Sequence, residues 1–419
     1  MSARRGRSTL VLASPVRAGG PVRTRGPASR PVAELTGGRR GRPGRQGWPS
    51  DALLLGVVVV LLLLIGLIMV LSASSVQAVR HFGSSWAYFA RHALWVTVGA
   101  VAMAVTVRVD YRRWRAAARP LLLLSLALLV AVLVPGVGRQ VNGARSWLAI
   151  GPVTVQPAEL TKLALVLFVA DLLAWRAHLM DRSQLTLRPV VVVVGLTGML
   201  LMLQPDLGTA IVMGAIAFWV LFVAGVPMLR LAGALALASA GSAAFALAEP
   251  YRRARLLAFL HPTSDPLNTG YNIIQSLTGV ASGGLTGIGL GESRAKWGFL
   301  PNAHTDFIFA ILSEELGLVG ALVVVALLCT LGVLGVRVAL RAPDRLGTLL
   351  AAGITAWILT QALVNVGGVV GVLPITGLTL PFISFGGSSL VVTMAATGIL
   401  INVARRAGEP RPAPLRAVR

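Results

Sequence analysis

Ten stretches of the sequence are apolar enough and long enough to cross a lipid bilayer, and this pattern limits the fold more than any other feature. A transmembrane helix needs about 20 mostly apolar residues. The 419-residue chain is 55% hydrophobic and only 13% charged, which is too apolar for a soluble globular protein. The sequence therefore predicts an all-α polytopic membrane protein with about ten transmembrane helices. The stretches fall near residues 52–73, 91–108, 119–135, 157–175, 188–204, 207–225, 229–248, 307–337, 347–370 and 384–404.

The distribution of arginine predicts the orientation of the bundle. Arginines concentrate in alternate loops, above all between the second and third stretches, where Arg108, Arg112, Arg113 and Arg115 lie close together. An excess of Lys and Arg marks cytoplasmic loops. We therefore expect both termini in the cytoplasm and a large extracytoplasmic loop, residues 249–306, between helices 7 and 8.

The N-terminal region, residues 1–50, differs in composition from the rest of the chain. It holds eleven Arg against one acid, Glu34, and is rich in Gly, Pro and Ser, which predicts a disordered basic tail. A nucleic-acid-binding arm is the alternative, but no aromatic residue interleaves with the arginines before Trp48. We favour a cytoplasmic tail that fixes topology and contacts anionic lipid, and expect no nucleic-acid partner. A membrane domain, 51–405, and a short cytoplasmic tail, 406–419, complete the chain.

Two sequence features exclude common classes of site. The single cysteine, Cys329, excludes an intrachain disulfide and a thiolate zinc cluster. The glycine-rich segment 283–298 lacks the P-loop pattern and follows no strand, which excludes a nucleotide site. Arg294 and Lys296 in this segment have two interpretations, a solvated surface pair or contacts with phosphate groups.

Charged residues also occur at two breaks in the apolar pattern. Glu159 and Lys162 in "QPAELTK" are three residues apart, so they can pair on one helical face. They form either a buried ion pair or a cationic contact for a lipid pyrophosphate. In "QPDLGTA", Asp206 lies where Pro205 and Gly208 interrupt an apolar region, and it either caps a helix or lines a cavity.

The stretch "FLPNAHTDFIFAILSEELG", residues 299–317, places Asp306 where a polar loop becomes an apolar run. Ala310, Ser313 and Gly317 follow on the same helical face. This stripe of small residues predicts a groove that packs a neighbouring helix or holds a lipid chain. Asp306 is a candidate base at the membrane–water boundary, because partial desolvation strengthens a carboxylate as a base.

Two further extracytoplasmic segments are predicted to be ordered. In "YNIIQSLTGV", Ile273, Ile274, Leu277 and Val280 share one helical face, which predicts a short helix at the membrane surface. The segment 377–390, "GLTLPFISFGGSSL", is either a plain re-entrant turn or part of a cavity wall.

Five motifs together resemble one known family. "VNGARSWLAIG", "QPAELTK", "QPDLGTA", "ESRAKWGFLPNAHTDFIFA" and "GLTLPFISFGGSS" follow in this order. With them, residues 50–405 resemble the FtsW/RodA/SpoVE (SEDS) family, and most of all its division-associated FtsW branch. The sequence departs from the family pattern at Asn302, where an acid is usual, and at Phe385, where Tyr is common.

The resemblance implies a peptidoglycan glycosyltransferase that polymerises lipid II during septal cell-wall synthesis in the bacterial plasma membrane. It also implies a class B penicillin-binding transpeptidase and other divisome proteins as partners. The family's essential aspartate falls on Asp306, which would accept the proton of the acceptor's GlcNAc 4-hydroxyl as this oxygen attacks C1 of the donor's MurNAc. Glu314 and Glu315 are expected to be structural.

Undecaprenyl pyrophosphate would leave as an anion, so cationic and polar groups near the cavity are candidates to stabilise it. No cofactor is evident, and a divalent-cation requirement stays open. Two other functions for such a chain are a lipid II flippase and a non-catalytic divisome scaffold. A scaffold would not need the carboxylate of Asp306. The substrate-binding candidates are Arg145, Lys162, Arg294, Lys296, His304 and Ser388.

Overall fold

The predicted tails lie almost wholly outside the residues that the structure describes, and both tail predictions therefore stay predictions. The computed structural model describes residues 50–141, 144–151, 153–177, 183–248, 253 and 259–407.

Within these residues the chain is mostly helical, because an apolar segment that crosses a membrane must pair its backbone polar groups internally. Polar side chains mark where helices begin. Asp206 accepts a hydrogen bond from the Thr209 N–H at 3.0 Å, and Asp344 accepts one from the Gly347 N–H at 2.8 Å. The described helices are α1 (Ser50–Phe82), α2 (Ala87–Arg108), α3 (Trp114–Leu133), α4 (Pro157–Trp175), α5 (Ser183–Leu203), α6 (Leu207–Val223), α7 (Met228–Ala248), α8 (Tyr271–Ser282), α9 (Ile308–Arg341), α10 (Arg345–Val369) and α11 (Gly387–Arg405).

Each of the ten predicted apolar stretches overlaps one of these helices, and the prediction of a multi-pass helical membrane protein is confirmed. Six described segments are long and apolar enough to cross a membrane by length and composition: α1, α2, α3 with its preceding turn, α9, α10 and α11. The apolar parts of α5, α6 and α7 are shorter. Ten membrane crossings therefore stay a prediction.

The all-α prediction missed a small sheet between α3 and α4. Strands β1 (Gly138–Val141), β2 (Ala144–Ile150) and β3 (Val153–Val155) form an antiparallel sheet in the order β1-β2-β3. The register pairs Gly138 with Leu148 and Val141 with Ala144, and it shifts between Arg139 and Gln140. The sequence carries a hairpin signal here, the Asn-Gly pair after β1. The strands are short and lack strict apolar alternation, so the sequence pattern did not predict the sheet.

Helix α9 is broken at Gly317, within the 307–337 stretch that the sequence predicts as a single transmembrane helix. Gly317 has φ +67° and ψ −167°, a conformation that favours glycine. The segment 284–289 fills the break: the N–H groups of Ile288 and Gly289 bond to the carbonyls of Glu314 and Glu315. In return, the two residues after the break donate from their N–H groups to carbonyls of this segment.

The predicted helix in the large loop is confirmed as α8, and its predicted apolar face is only partly buried. Its buried residues are Ile273, Ser276 and Gly279, while Leu277 of the predicted apolar face is exposed. The Ser276 hydroxyl donates to the carbonyl of Val369 in α10 at 2.8 Å. The small-residue groove of α9 packs this region: a Cβ added to Gly283 would lie 2.0 Å from the Ser313 carbonyl oxygen. Protein rather than a lipid chain therefore occupies this part of the groove.

The end of the bundle opposite Asp306 is held by a group of polar residues that we call the distal polar cluster: Asp110, Tyr111, Arg112, Asp344 and Asn402. The Tyr111 hydroxyl and the Arg112 Nε donate to Asp344 Oδ2 at 2.7 and 2.8 Å. Asn402 accepts from the Tyr111 N–H at 2.9 Å. These bonds join the α2–α3 turn to the start of α10 and the end of α11.

Candidate active site

A cavity of about 520 Å³ lies at the Asp306 end of the bundle. Segments from all five motifs of the sequence meet at its wall: β2, the start of α4, the α5–α6 turn, the loop before α9, and the segment between α10 and α11. Of the two interpretations of the 377–390 segment, the structure supports the one in which it is part of a cavity wall. Polar residues of the wall include Ser146, Gln156, Glu159, Asp206, Thr209, Asn272, Asn302, Thr305, Asp306, Thr376, Thr379 and Ser389.

Asp306 lies at the junction between the loop and α9, partly exposed to this cavity. Its N–H bonds to the carbonyl of Asn302 at 3.2 Å. Its own carbonyl accepts a bond from Asn365 Nδ2 at 2.8 Å. A Cβ added to Gly377, which has φ +76°, would lie 3.7 Å from Asp306 Oδ2, so one carboxylate oxygen faces this glycine. A carboxylate held in this way beside a cavity is able to accept a proton from a bound hydroxyl.

Asp206 fulfils both roles that the sequence left open, because it caps α6 and lines the cavity. Its Oδ2 accepts bonds from the Thr209 hydroxyl at 2.8 Å and from Gln156 Nε2 at 3.1 Å. Burial raises the pKa of Asp206, although the bonds from Thr209 and the charge of Lys162 act in the opposite direction. Asp206 is thus a second carboxylate of the wall.

Glu159 and Lys162 form the buried ion pair that the spacing predicts. Lys162 Nζ lies 2.8 Å from Glu159 Oε2, and both side chains are almost fully buried. Lys162 also donates to Gln361 Oε1 at 2.7 Å and lies 5.2 Å from the centre of the Trp357 ring. Glu159 belongs to the cavity wall, and Lys162 lies one layer behind it. The cation is therefore near the cavity but shielded from it.

The described wall of the cavity is acidic. Glu159, Asp206 and Asp306 line it, and no Lys or Arg is among the described lining residues. Within the described ranges, the cavity included, no group of three or more His, Cys, Asp or Glu is arranged to hold a metal ion. A neutral, hydroxyl-rich ligand suits such a wall better than a bare anion does.

Arg145 and Ser388 lie next to the cavity wall without being part of it. Arg145 is half-buried on β2, opposite Gln140. The Ser388 hydroxyl accepts a bond from the Gln156 N–H at 3.2 Å, which ties the start of α11 to the start of α4. Their assignment as substrate contacts stays a prediction.

The structure does not bring Arg294 and Lys296 to the cavity. Lys296 is buried, with its Nζ 3.3 Å from Glu315 Oε1 and bonded to the Gly291 carbonyl. Arg294 is exposed, and its N–H donates to Glu314 Oε1 at 3.1 Å. The two glutamates thus anchor the 291–296 segment to α9, in agreement with the structural role expected from the sequence.

His304 packs behind the cavity among aromatic rings. Its ring centre lies 4.8 Å from that of Tyr88 and 5.6 Å from that of Phe385. Burial lowers the pKa of His304 to about 4, so the imidazole is neutral at physiological pH. His304 therefore carries no positive charge with which to hold a pyrophosphate.

Two polar residues of α10 near the site were missed by reasoning from the sequence. Gln361 accepts from Lys162, and its Nε2 donates to the carbonyl of Thr379 at 2.9 Å. Asn365, one helical turn later, contacts the Asp306 backbone. A signal was available, since two amides one turn apart in an otherwise apolar membrane helix are expected to face a partner inside the bundle.

A helical membrane bundle with an acidic cavity at one end defines a class, the polytopic membrane proteins that handle a polar group at the membrane boundary. Comparison with known proteins defines the family. The family model FTSW_RODA_SPOVE, described as "Cell cycle protein", matches residues 52–409. The chain belongs to this family.

Curated relatives and solved structures agree with this membership. Stage V sporulation protein E of Bacillus subtilis is 43% identical over 356 residues, which cover 85% of this chain and 97% of the relative. The probable peptidoglycan glycosyltransferase FtsW of Geobacter metallireducens is 43% identical over 341 residues, covering 81% and 91%. A solved structure described as "Structural coordination of polymerization and crosslinking by a peptidoglycan synthase complex" matches with a TM-score of 0.70 and 33% identity, covering 85% of this chain and 98% of that one.

Proposed function

We propose that this chain is a peptidoglycan glycosyltransferase that polymerises lipid II into glycan strands, with Asp306 as its general base. The observation that carries the proposal is the position of Asp306. Its carboxylate lines a cavity of about 520 Å³ whose wall contains segments of all five family motifs. Two FtsW relatives that are named as probable peptidoglycan glycosyltransferases are 43% and 41% identical to this chain, each over 81% of its length.

The proposed reaction needs one base and one stabilised leaving group. The acceptor's GlcNAc 4-hydroxyl gives its proton to the Asp306 carboxylate while its oxygen forms a bond to C1 of the donor's MurNAc. The bond from C1 to the phosphate oxygen breaks, and its electron pair leaves with undecaprenyl pyrophosphate. The wall of hydroxyl, amide and carboxylate groups offers hydrogen bonds to sugar hydroxyls, which is consistent with an acceptor bound beside Asp306.

The charge of the leaving pyrophosphate has no direct partner among the lining residues that the structure describes. Lys162 is the nearest candidate, because it lies directly behind Glu159. A divalent cation that arrives with the pyrophosphate would supply positive charge in an acidic cavity. Arg145 remains a candidate at the edge of the wall. Lys296 is paired with Glu315, and Arg294 is held through its backbone N–H, away from the described lining of the cavity.

The family and the solved neighbour also support a proposed cellular setting. The matching structure is described as a peptidoglycan synthase complex that coordinates polymerisation and crosslinking. We therefore infer that this chain works with a class B penicillin-binding transpeptidase and other divisome proteins at the division septum. The arginine-rich turns, including the one at Arg112, lie at the end opposite Asp306, which favours cytoplasmic termini and an outward-facing cavity.

The test is polymerisation of labelled lipid II by the purified protein together with its transpeptidase. Asparagine is nearly isosteric with aspartate but does not accept the proton, so Asp306→Asn should lower the rate by about 10²–10⁴-fold. Asp306→Glu keeps the carboxylate but displaces it, and we expect partial activity at most.

Asp171→Asn is the matched control, because Asp171 pairs with Arg115 far from the cavity. It should polymerise at the normal rate. If a folded Asp306→Asn protein makes glycan strands as fast as the wild type, the mechanism is wrong. The flippase and scaffold functions would then become the better explanations.

A further inference from the structure

Asn365 joins two segments that both line the cavity. Its Nδ2 donates to the carbonyl of Asp306 at 2.8 Å and to the carbonyl of Leu378 at 2.6 Å. Asn365 is 5% exposed, and its bond to Leu378 is buried while its bond to Asp306 is partly buried. One buried amide therefore links the loop before α9 to the segment between α10 and α11.

The bond to Asp306 lies at the first turn of α9. The N–H groups of Ala310 and Ile311 both bond to the carbonyl of Phe307, at 2.9 and 3.4 Å. The Asp306 carbonyl, one residue earlier, accepts the bond from Asn365 Nδ2 where α9 begins. Since the Asp306 N–H bonds to Asn302, the backbone of this residue is held from both sides.

A small chamber of about 10 Å³ adjoins the same residues. Asp306, Asn365, Thr376 and Gly377 contribute to its wall. Asn365 Oδ1 is buried and has no hydrogen-bond partner among the described residues. Buried polar atoms are nearly always paired, and the volume is close to what one water molecule needs.

We propose that Asn365 is a positioning residue for Asp306. Its amide nitrogen fixes the Asp306 backbone, and its Oδ1 accepts a bond from one water molecule in the chamber that also donates to the Asp306 carboxylate. This inference rests on the proposed function, in which Asp306 is the base. Misplacing a reacting group by about 1 Å costs as much as about 100-fold in rate, so a tether of this kind controls turnover.

The test compares Asn365→Ala and Asn365→Asp with the wild-type protein in lipid II polymerisation, with kcat and KM measured separately. Alanine leaves room for water at both carbonyls, so it preserves the fold while it removes the tether. Aspartate keeps the shape but loses the donor. We expect kcat to fall by about 10-fold to 100-fold and KM to change less than about 3-fold. The reason is that the substrate still binds, while the base no longer lies in its reactive position.

Asn402→Asp is the matched control. Asn402 is also a buried amide that bonds two backbone groups, the Tyr111 N–H at 2.9 Å and the Val107 carbonyl at 2.7 Å, but it lies at the distal end of the bundle. It should leave kcat unchanged. An equal fall in kcat for the Asn402 variant would mean that lost bundle integrity explains the effect, and would overturn the positioning role.

The outcomes separate this inference from the function on which it rests. If Asp306→Asn is inactive while both folded Asn365 variants turn over normally, Asn365 does not position the base and the proposed function stands. If Asp306→Asn is active, the proposed function itself fails. An experimental structure at about 2 Å resolution should show density for one water within hydrogen-bond distance of Asn365 Oδ1. If the chamber shows no such density, the proposed water between Asn365 and Asp306 is wrong.

Discussion

At the scale of single residues, the turn that presents Asp306 depends on Asn302. This residue has φ +55°, in the left-handed region. Its carbonyl accepts bonds from the N–H groups of Thr305 at 3.0 Å and Asp306 at 3.2 Å. Asparagine tolerates this backbone conformation better than most residues do. The departure from the family pattern at this position therefore suits the local geometry.

Asn302→Glu should lower stability by about 1 kcal/mol, because glutamate adopts the left-handed conformation at a higher energy. Asn302→Gly should be tolerated, since glycine adopts it freely. The apparent melting temperature of the purified protein in detergent measures both effects. Equal melting temperatures for the glutamate variant and the wild type would contradict this account of the turn.

Residues of the site differ in how far the sequence revealed them. The pairing of Glu159 with Lys162 was predictable because the two residues are three positions apart on a helix. The position of Asp206 at a helix start was predictable because Pro205 and Gly208 interrupt the apolar pattern there. The partners of Lys296 and Asn365 were not predictable. Their contacts cross from a loop or a helix to segments that only the tertiary fold brings near.

At the scale of elements, the N-terminal part of α9 is held by buried glutamates. Glu315 accepts bonds from the Ser72 hydroxyl at 2.7 and 2.8 Å and pairs with Lys296. Glu314 accepts bonds from the Ser293 hydroxyl and the Arg294 N–H. Together they attach the large loop to both α9 and α1, next to the break in α9. The loop that leads to Asp306 begins directly after this anchored segment.

Breaking this anchor should destabilise the protein without removing a reacting group. Glu315→Gln leaves Lys296 buried without its anion, which costs about 3–5 kcal/mol for a buried pair. We expect a clear fall in apparent melting temperature. The double variant Glu315→Gln with Lys296→Met should recover much of the loss, because no unpaired charge remains. If the double variant is less stable than Glu315→Gln alone, the ion pair is not the source of the effect.

The distal polar cluster predicts a dependence of stability on acid. Burial alone would raise the pKa of Asp344, but bonds from the Gly347 N–H, Arg112 and Tyr111 outweigh it and hold the pKa below its ordinary value. The ionised carboxylate therefore stabilises the fold above the ordinary carboxylate pKa, near about 4. This contribution is lost as pH falls through the lower folded-state pKa.

We expect the gap in apparent melting temperature between wild type and Asp344→Asn to be full at neutral pH and to shrink below about pH 4. Tyr111→Phe should produce a smaller gap, because Asp344 keeps its bonds with Arg112 and the Gly347 N–H. A gap that stays constant from pH 7 to acid would show that ionisation of Asp344 does not matter.

At the scale of the whole molecule, the apolar pattern predicts the helical bundle well because the membrane leaves so few alternatives for the backbone. It predicts less where the chain leaves the apolar region. The sheet formed by β1, β2 and β3 carries Arg and Gln at strand positions and was not expected. The break at Gly317 was hidden too, because the residues around it are helix-compatible and the partner segment is 28 or more positions earlier. Local composition does not encode these pairings.

The orientation of the bundle across the membrane is still a prediction, and cysteine labelling at exposed positions tests it. Exposed positions are needed, and Ser293 in the large loop is buried, whereas Leu267 is 82% exposed. At the opposite end, Ala116 near the distal polar cluster is exposed. The native Cys329 is exposed, so it must first be replaced by serine.

In the Cys329→Ser background, Leu267→Cys should react with a membrane-impermeant thiol reagent applied to intact cells. Ala116→Cys should react only after the cells are permeabilised. The reason is the arginine bias, which places the Ala116 end in the cytoplasm and the cavity with Asp306 outside. The reverse labelling pattern would put the cavity on the cytoplasmic side. Polymerisation of an extracytoplasmic glycan strand at Asp306 would then be ruled out together with the predicted orientation.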